Sequence, residues 1–76
     1  MNHIKYLRLM RELTQFDIEC ETGIDQSIIS KYERGECMPT TQNLIILADF
    51  FQTSLDYLVG RTEEKSPYPP APKKTV

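Results

Sequence analysis

Apolar residues recur through the first sixty positions at the three- and four-residue spacings of helices. The first such stretch predicts a helix from Asn2 to Glu12, because basic and polar residues separate its apolar ones. The side chains expected in the core from this helix are Ile4, Leu7, Met10 and Leu13. A longer stretch predicts a helix from Thr41 to Phe51, with Thr40 as its N-cap. Its expected core side chains are Leu44, Leu47, Ala48 and Phe51, which Ile45 could join.

Between these two helices, residues 15–34 predict two short helices joined by a tight turn. Gly23 can take the positive φ at which a helix ends without a Cβ clash. Asp25 can then cap the following helix, because its carboxylate accepts free N–H groups of the first turn. Two short helices with a three-residue glycine turn between them are typical of the helix-turn-helix motif.

The helix before this turn is expected over 15–22, with Thr14 as N-cap and Asp17 completing a shortened capping box. The helix after the turn is expected over 25–34. Its buried side is formed by Ile29 and Tyr32, with Ile28 undecided. Residues 15–34 therefore form the predicted helix-turn-helix unit.

A fifth short helix is expected after Ser54, its N-cap, and before Gly60. The fold class is thus all-α, a compact domain of five helices over residues 1–61. Residues 62–76 hold four of the five prolines and almost no periodic apolar residues. Such a composition is typical of a flexible, mostly disordered tail with polyproline character.

The helix-turn-helix stretch also matches the pattern of a known family. The matching residues are Thr14-Gln15, Gly23, Ile29-Ser30, Tyr32-Glu33, Gly35, Pro39 and the run from Ser54 to Gly60. From Ile4 to Gly60 the chain therefore resembles the phage-repressor-like (Cro, XRE-type) DNA-binding domain. The resemblance implies a lambda-repressor-like fold that binds double-stranded DNA through the major groove.

The resemblance implies that both helices of the motif contact DNA. The expected DNA-contacting residues are Gln15, Phe16, Asp25, Gln26, Ser27, Ser30, Lys31 and Arg34. Gln26, Ser27 and Lys31 would read bases, since Gln pairs with adenine and Lys with guanine. Gln15 would hold the DNA backbone and brace Gln26. Phe16 would either touch a sugar or a thymine methyl, or fold onto a neighbouring helix.

Three acidic residues depart from the family pattern. Glu12 stands where glycine is common, which predicts a slightly strained corner. Glu19 replaces a small residue between the two helices, so its carboxylate is expected to reach solvent or to widen the helix spacing. Glu36 stands where a basic residue often holds phosphate, and it is expected to repel phosphate. The family pattern also predicts an ion pair between Arg8 and Glu33.

The C-terminal end of the domain carries more apolar residues than so small a core can bury. Ile46 and Phe50 lie off the core side of the fourth predicted helix. A homodimer contact is expected there, and simple edge packing is the alternative. The candidate contact residues are Phe50, Leu55, Leu58 and Val59. A dimer would present two recognition helices to successive major grooves, about 34 Å apart.

Charge and composition narrow the remaining possibilities. Residues 1–60 carry five basic and nine acidic residues, a net charge of −4, which predicts weak non-specific DNA binding. The two cysteines, Cys20 and Cys37, have no metal-ligand spacing, so neither a metal site nor a disulfide is expected. No cofactor, small-molecule ligand or membrane contact is evident. The N-terminus lacks a signal-peptide pattern, which predicts a cytoplasmic protein.

The favoured function is a sequence-specific DNA-binding transcriptional regulator, a repressor that binds a palindromic operator as a dimer. One alternative is the antitoxin of a toxin–antitoxin pair. Another is a protein-interaction module that has lost DNA binding, which the acidic core favours. An enzyme is not expected, because the single histidine, His3, lies near a terminus and no nucleophile has a partner at a usable spacing.

Overall fold

Five α-helices make up the described part of the chain. The computed structural model describes residues 2–67, and no β-strand occurs within that range. The helices are α1 (Ile4–Met10), α2 (Gln15–Thr22), α3 (Gln26–Glu33), α4 (Thr41–Phe51) and α5 (Leu55–Leu58). α2 packs against α3 and α4, α1 packs against α3, and α5 packs against α4. The prediction of an all-α domain of five helices is confirmed.

Side-chain caps set the first residue of α2, α4 and α5. The hydroxyl of Thr14 accepts the N–H of Asp17 at 3.0 Å, and the Asp17 carboxylate accepts the N–H of Thr14 at 2.8 Å. The capping box expected here is therefore complete. Thr40 and Ser54 each accept the N–H of the residue three positions later, at 3.1 and 3.0 Å. These bonds satisfy backbone donors that have no partner within the helix.

α1 is shorter than predicted. The side chain of His3 makes no capping hydrogen bond at the start of α1, although Oδ1 of Asn2 accepts the N–H of Ile4 at 3.1 Å. Beyond the end of α1, Glu12 adopts a left-handed φ of 56°, which a glycine would take at lower cost. Met10 is 61% exposed, so the prediction that it lies in the core is wrong. At 3.6 residues per turn, a spacing of three residues rotates each side chain by about 60° relative to the previous one. Met10 has therefore turned away from the side that Ile4 buries.

The centre of the core takes one fully buried aliphatic side chain from each helix. These side chains are Ile4, Ile18, Ile29, Leu47 and Leu58. Each contributes about 1.5–3 kcal/mol of stabilisation on burial. Leu58 is 0% exposed, so it has no surface to offer a partner chain, which corrects its prediction as a dimer contact. α5 is only four residues long, and Leu58 occupies its core-facing side.

The C-terminal half of α4 lies at the border between core and surface. Leu47, Ala48 and Phe51 are buried as predicted, and Leu44 packs half-buried beside them. Ile45 is 48% exposed and does not join the core. Three of the predicted dimer residues remain partly exposed at this end of the domain: Phe50, Leu55 and Val59.

Residues 61–67 contain no helix and lie against the helical domain. The hydroxyl of Thr53 donates to the carbonyl of Lys65 at 2.6 Å, and the Lys65 ammonium lies 5.4 Å from the centre of the Tyr6 ring. Residues 68–76, the larger part of the predicted tail, lie outside the described residues. The flexible proline-rich tail and the domain boundary at residue 61 therefore stay predictions.

Candidate nucleic-acid interface

The turn between α2 and α3 depends on the backbone of Gly23. Its φ is 79°, and its N–H donates to the carbonyl of Glu19 at 2.8 Å. A Cβ at this position would meet no atom within 4 Å, so conformation, and not space, favours glycine. The buried Ile24 anchors the turn to the core, and the Thr22 hydroxyl accepts its N–H at 3.2 Å. The helix-turn-helix predicted for this stretch is confirmed.

Asp25 caps α3, as the sequence predicts. Its Oδ1 accepts the hydroxyl of Ser27 at 2.5 Å and the backbone N–H of Ser27 at 2.8 Å. The hydroxyl bond, followed by the backbone bond, lowers the pKa of the Asp25 carboxyl below its usual value. Two of the predicted DNA-contacting residues, Asp25 and Ser27, are thus bonded to each other in the free chain.

A polar cleft between α2 and α3 gathers most of the predicted DNA-contacting residues. Its lining side chains are Gln15, Glu19, Asp25, Gln26, Ser27 and Ser30. Lys31 and Arg34 are exposed and follow Ser27 and Ser30 by four residues, which places them on the same side of α3. Phe16 is 56% exposed at the start of α2, so its ring is not packed into a neighbouring helix. We call this cleft and the adjoining exposed side of α3 the polar face.

Gln26 and Lys31 have exposed side chains on the polar face, and Lys31 interacts electrostatically with Glu36. Throughout residues 2–67, neither Gln26 nor Lys31 uses its side chain in a hydrogen bond or an ion pair. Arg34, in contrast, donates to the hydroxyl of Ser30 and forms an ion pair with Glu36. The hydrogen bond from Arg34 lowers the pKa of the Glu36 carboxyl. Glu36 is predicted to repel phosphate, and in the structure it also forms an ion pair with Arg34, a cation of the polar face.

A largely buried ion pair lies on the inner side of the helix-turn-helix. Nε of Arg8 donates to Oε2 of Glu33 at 2.7 Å, and Nη2 donates to Oε1 at 3.0 Å. The two side chains are only 12% and 4% exposed. The hydrogen bond to Glu33 raises the pKa of Arg8, and a further bond to the carbonyl of Leu13 at 2.9 Å fixes the guanidinium. The Arg8–Glu33 pair predicted from the family pattern is confirmed, and it joins α1 to the last residue of α3.

Gln15 joins the same network. Its Nε2 donates to Oε1 of Glu33 at 3.0 Å. The sequence predicts that this amide braces Gln26, whereas in the structure it braces Glu33. The carboxylate is the stronger acceptor, because hydrogen bonds to charged oxygens are about twice as strong as neutral ones. Gln15 therefore links the first residue of α2 to the last residue of α3.

Glu19 has a partner that the sequence did not suggest. Its Oε1 accepts the backbone N–H of Gln26 at 2.8 Å, across the turn, and its side chain is half-buried. Glu19 neither remains fully in solvent nor lies unpaired between the helices. The available signal was an acidic residue in place of a small one, three residues before a helix end. Its reach to α3 depends on the angle between the helices, which a sequence pattern does not give.

Arg11 uses its charge within the fold, a role not anticipated from the sequence. Its guanidinium donates to the carbonyls of Phe50 and Phe51 at 2.9 Å each and lies 5.8 and 5.4 Å from their ring centres. These carbonyls belong to the last turn of α4, where helices leave acceptors unsatisfied and favour a cation.

The described residues meet the requirements of neither a metal site nor a membrane-spanning helix. Cys20 and Cys37 are both exposed free thiols. No group of three or more metal-binding side chains comes together within residues 2–67. Over the same range, none of the helices has the length and apolar character that crossing a bilayer requires.

Comparison with known proteins gives the motif a family. A helix-turn-helix family model matches residues 4–58, from α1 to α5. The transcriptional repressor RstR of the cryptic phage CTXphi, from Vibrio cholerae serotype O1, is 44% identical over 48 residues, 63% of this chain and 43% of RstR. The HTH-type transcriptional regulator DicA of Escherichia coli K12 is 33% identical over 70 residues, 92% of this chain and 52% of DicA. The regulator YobD of Bacillus subtilis is 31% identical over 64 residues, 84% of this chain and 57% of YobD.

The match is to domains of longer proteins. The chain spans about half the length of the curated relatives that it matches. No solved structure gives a significant match to it. The matched range includes the turn at Gly23, the cap at Asp25 and the Arg8–Glu33 pair. The chain therefore belongs to the helix-turn-helix family, in the phage-repressor-like (Cro/XRE-type) group whose pattern its sequence carries.

Proposed function

We propose that this chain is a sequence-specific, double-stranded DNA-binding transcriptional regulator that acts as a repressor in the cytoplasm. α3 is its recognition helix and enters the major groove, which is wide enough to admit an α-helix. One observation carries this proposal: Gln26 and Lys31 lie exposed on α3 and make no side-chain hydrogen bond or ion pair within residues 2–67, while Ile29 and Tyr32 anchor the helix in the core. The name of RstR, a phage transcriptional repressor, supports the same role.

The polar face divides into base-reading and backbone-holding groups. Gln26 pairs with adenine, Lys31 reaches guanine, and the Ser27 hydroxyl can donate to or accept from a base edge. Gln15 lies at the start of α2, where free N–H groups and the helix dipole favour phosphate. Its amide has two hydrogens, so one stays on Glu33 while the other meets a phosphate.

The remaining contacts come from Phe16 and Arg34. The exposed ring of Phe16 can touch a sugar or a thymine methyl at the start of α2. Arg34 can hold a phosphate by exchanging its ion pair with Glu36, which is about half exposed on both sides. Because the ion pair with Glu36 must be broken for Arg34 to hold a phosphate, Arg34 adds less to DNA affinity than an unpaired arginine would.

A homodimer would supply the specificity that one chain lacks. A single α3 offers only a few base-reading side chains, too few for useful discrimination. The partly exposed residues Phe50, Leu55 and Val59 support an apolar contact at the C-terminal end of the domain. Two chains related by a two-fold axis would read a palindromic operator with half-sites about 34 Å apart and block polymerase by occupying the promoter.

The direct test is selection of bound duplexes from a random-sequence pool, followed by gel shifts at low salt. The Gln26→Ala variant should lose about 1–3 kcal/mol of operator affinity per half-site and accept other bases at one position. Gln42→Ala, an exposed glutamine on α4, is the matched control and should bind as the wild type does. A chain that retains no duplex would be a protein-interaction module instead. An equal loss for every sequence would show that Gln26 is not a base reader.

A further inference from the structure

The first turn of α3 is closed by two carboxylates from this chain. Oε1 of Glu19 accepts the N–H of Gln26 at 2.8 Å, and Oδ1 of Asp25 accepts the N–H of Ser27 at 2.8 Å. Free N–H groups at a helix start, together with the helix dipole, normally attract phosphate. Here two of those donors are occupied and two negative charges stand beside them. Phosphate is therefore unfavourable at this end of α3.

The bond from Glu19 also has a positional effect. It joins α2 to the backbone of Gln26, the residue whose side chain is free to read a base. The carboxylate lines the polar cleft together with Gln15 and Ser30. Any shift of Glu19 would therefore move the first turn of α3 relative to α2, and with it the direction in which Gln26 points.

Few cations balance these two acids. Arg8 is paired with Glu33, Arg11 is held by carbonyls of α4, and Arg34 is paired with Glu36. A single negative charge on the polar face consequently has a larger relative effect on DNA binding than it would on a strongly basic domain.

We propose that Glu19 is a specificity-determining residue, one that repels the DNA backbone from the start of α3 and holds Gln26 in its reading position. Binding then depends more on base contacts and less on phosphate contacts at the start of α3, so the ratio of operator to non-operator affinity rises while total affinity falls. This inference rests on the proposed DNA-binding function and assigns to Glu19 a role in selectivity within it.

Two substitutions separate the charge from the position. Glu19→Gln removes the charge and keeps an oxygen that can accept the Gln26 N–H, whereas Glu19→Ala removes both. Glu21→Gln is the matched control, because Glu21 is an exposed acid on the same helix that does not line the cleft. The readouts are dissociation constants for the selected operator and for a scrambled duplex of equal composition, over a salt series. Thermal unfolding of each variant monitors the fold.

Glu19→Gln should bind the scrambled duplex about two- to fivefold more tightly per recognition helix than the wild type. The gain on the operator should be smaller, because a neutral amide holds the Gln26 N–H less firmly than the carboxylate does and so weakens the base contact. Glu19→Ala should show the same gain on the scrambled duplex but lose preference at the base pair read by Gln26. Glu21→Gln should leave the affinity ratio unchanged. Equal gains on both duplexes, or equal effects of the Glu19 and Glu21 variants, would overturn the inference while leaving the DNA-binding function intact. A wild-type chain that binds neither duplex would overturn both.

Discussion

At the scale of single residues, the arginines differ in what their pairing contributes. The side chains of Arg8 and Glu33 are 12% and 4% exposed, whereas those of Arg34 and Glu36 are 53% and 52% exposed. Water screens the exposed pair, so it contributes little to stability. The buried pair matters most when it is broken, because the remaining charge then lacks a partner in a poorly solvated position.

Arg8→Ala should therefore lower the free energy of unfolding by about 3 kcal/mol. It removes both bonds to Glu33 and the bond to the Leu13 carbonyl, and it leaves the Glu33 carboxylate with only the Gln15 amide. Urea denaturation followed by circular dichroism measures the change. Lys5→Ala, on the exposed side of the same helix, is the control. Equal stability of the two variants would contradict a structural role for the pair.

Glu36→Gln should strengthen DNA binding without changing which bases are preferred. It frees the Arg34 guanidinium from its ion pair and removes a negative charge beside the end of α3. The gain should be similar for all sequences, and the dependence of log K on log salt should steepen by about one. Fluorescence anisotropy with operator and scrambled duplexes at several salt concentrations tests this, with Glu21→Gln as control. A gain confined to one sequence would place Glu36 near a base instead.

At the scale of helices, the sequence predicts the bounds of those helices that begin at a capping residue or end at a glycine. The bounds of α2 and α4 agree with the sequence, because Thr14 and Thr40 are strong caps and Gly23 ends α2 at a positive φ. His3 does not cap α1 through its side chain, and the spacing of three between its apolar residues fits a helix poorly, so the sequence does not predict its length or the exposure of Met10. Within the site, Gln15 bonds to Glu33 and Glu19 bonds to the N–H of Gln26. Both bonds depend on how the helices are oriented, which the local sequence does not encode.

The caps of α2 and α3 should make stability fall in acid. Bonds from Thr14 lower the pKa of Asp17, the backbone N–H contributing most, and bonds from Ser27 lower the pKa of Asp25. Since each folded pKa lies below the unfolded value of 3.8, the stabilisation is complete above that value and is lost as pH falls through the folded pKa. The free energy of unfolding should therefore decline below about pH 4.

Asp17→Asn should flatten that decline, because its amide no longer titrates. The measurement is thermal unfolding between pH 2 and pH 7 for the wild type and the variant. Asp49→Asn is the control, since Asp49 is an exposed carboxylate on α4 that caps no helix. If Asp17→Asn and the wild type lose stability with the same slope, the capping box does not contribute to the acid sensitivity.

At the scale of the whole molecule, the proposed dimer depends on a small apolar area. Leu58 is buried in the core. The other three predicted contact residues, Phe50, Leu55 and Val59, are partly exposed. Phe50 and Leu55 also pack on the core, whereas Val59 lies outside it. A contact of this size favours weak association in solution that operator binding completes.

Val59→Glu should weaken dimer formation about tenfold or more, because it places a charge in an apolar contact. Sedimentation velocity over a range of concentrations, with and without the selected operator, reports the number of chains. Ile45→Glu changes an exposed apolar residue on another part of α4 and should leave association unchanged. A single chain in solution and on the operator would exclude the dimer.

The engagement of three arginines within the chain would also affect how quickly the proposed regulator finds an operator. Proteins slide along DNA while loosely held by its phosphates, and that hold is electrostatic. With Arg8, Arg11 and Arg34 bound to internal acceptors, and with a net charge of −4 over residues 1–60, contacts with bulk DNA should be short-lived. The chain would then search mainly by diffusion through solution, with few molecules sequestered on the chromosome. If the chain is the proposed repressor, occupancy of its operator would follow changes in its concentration with little delay.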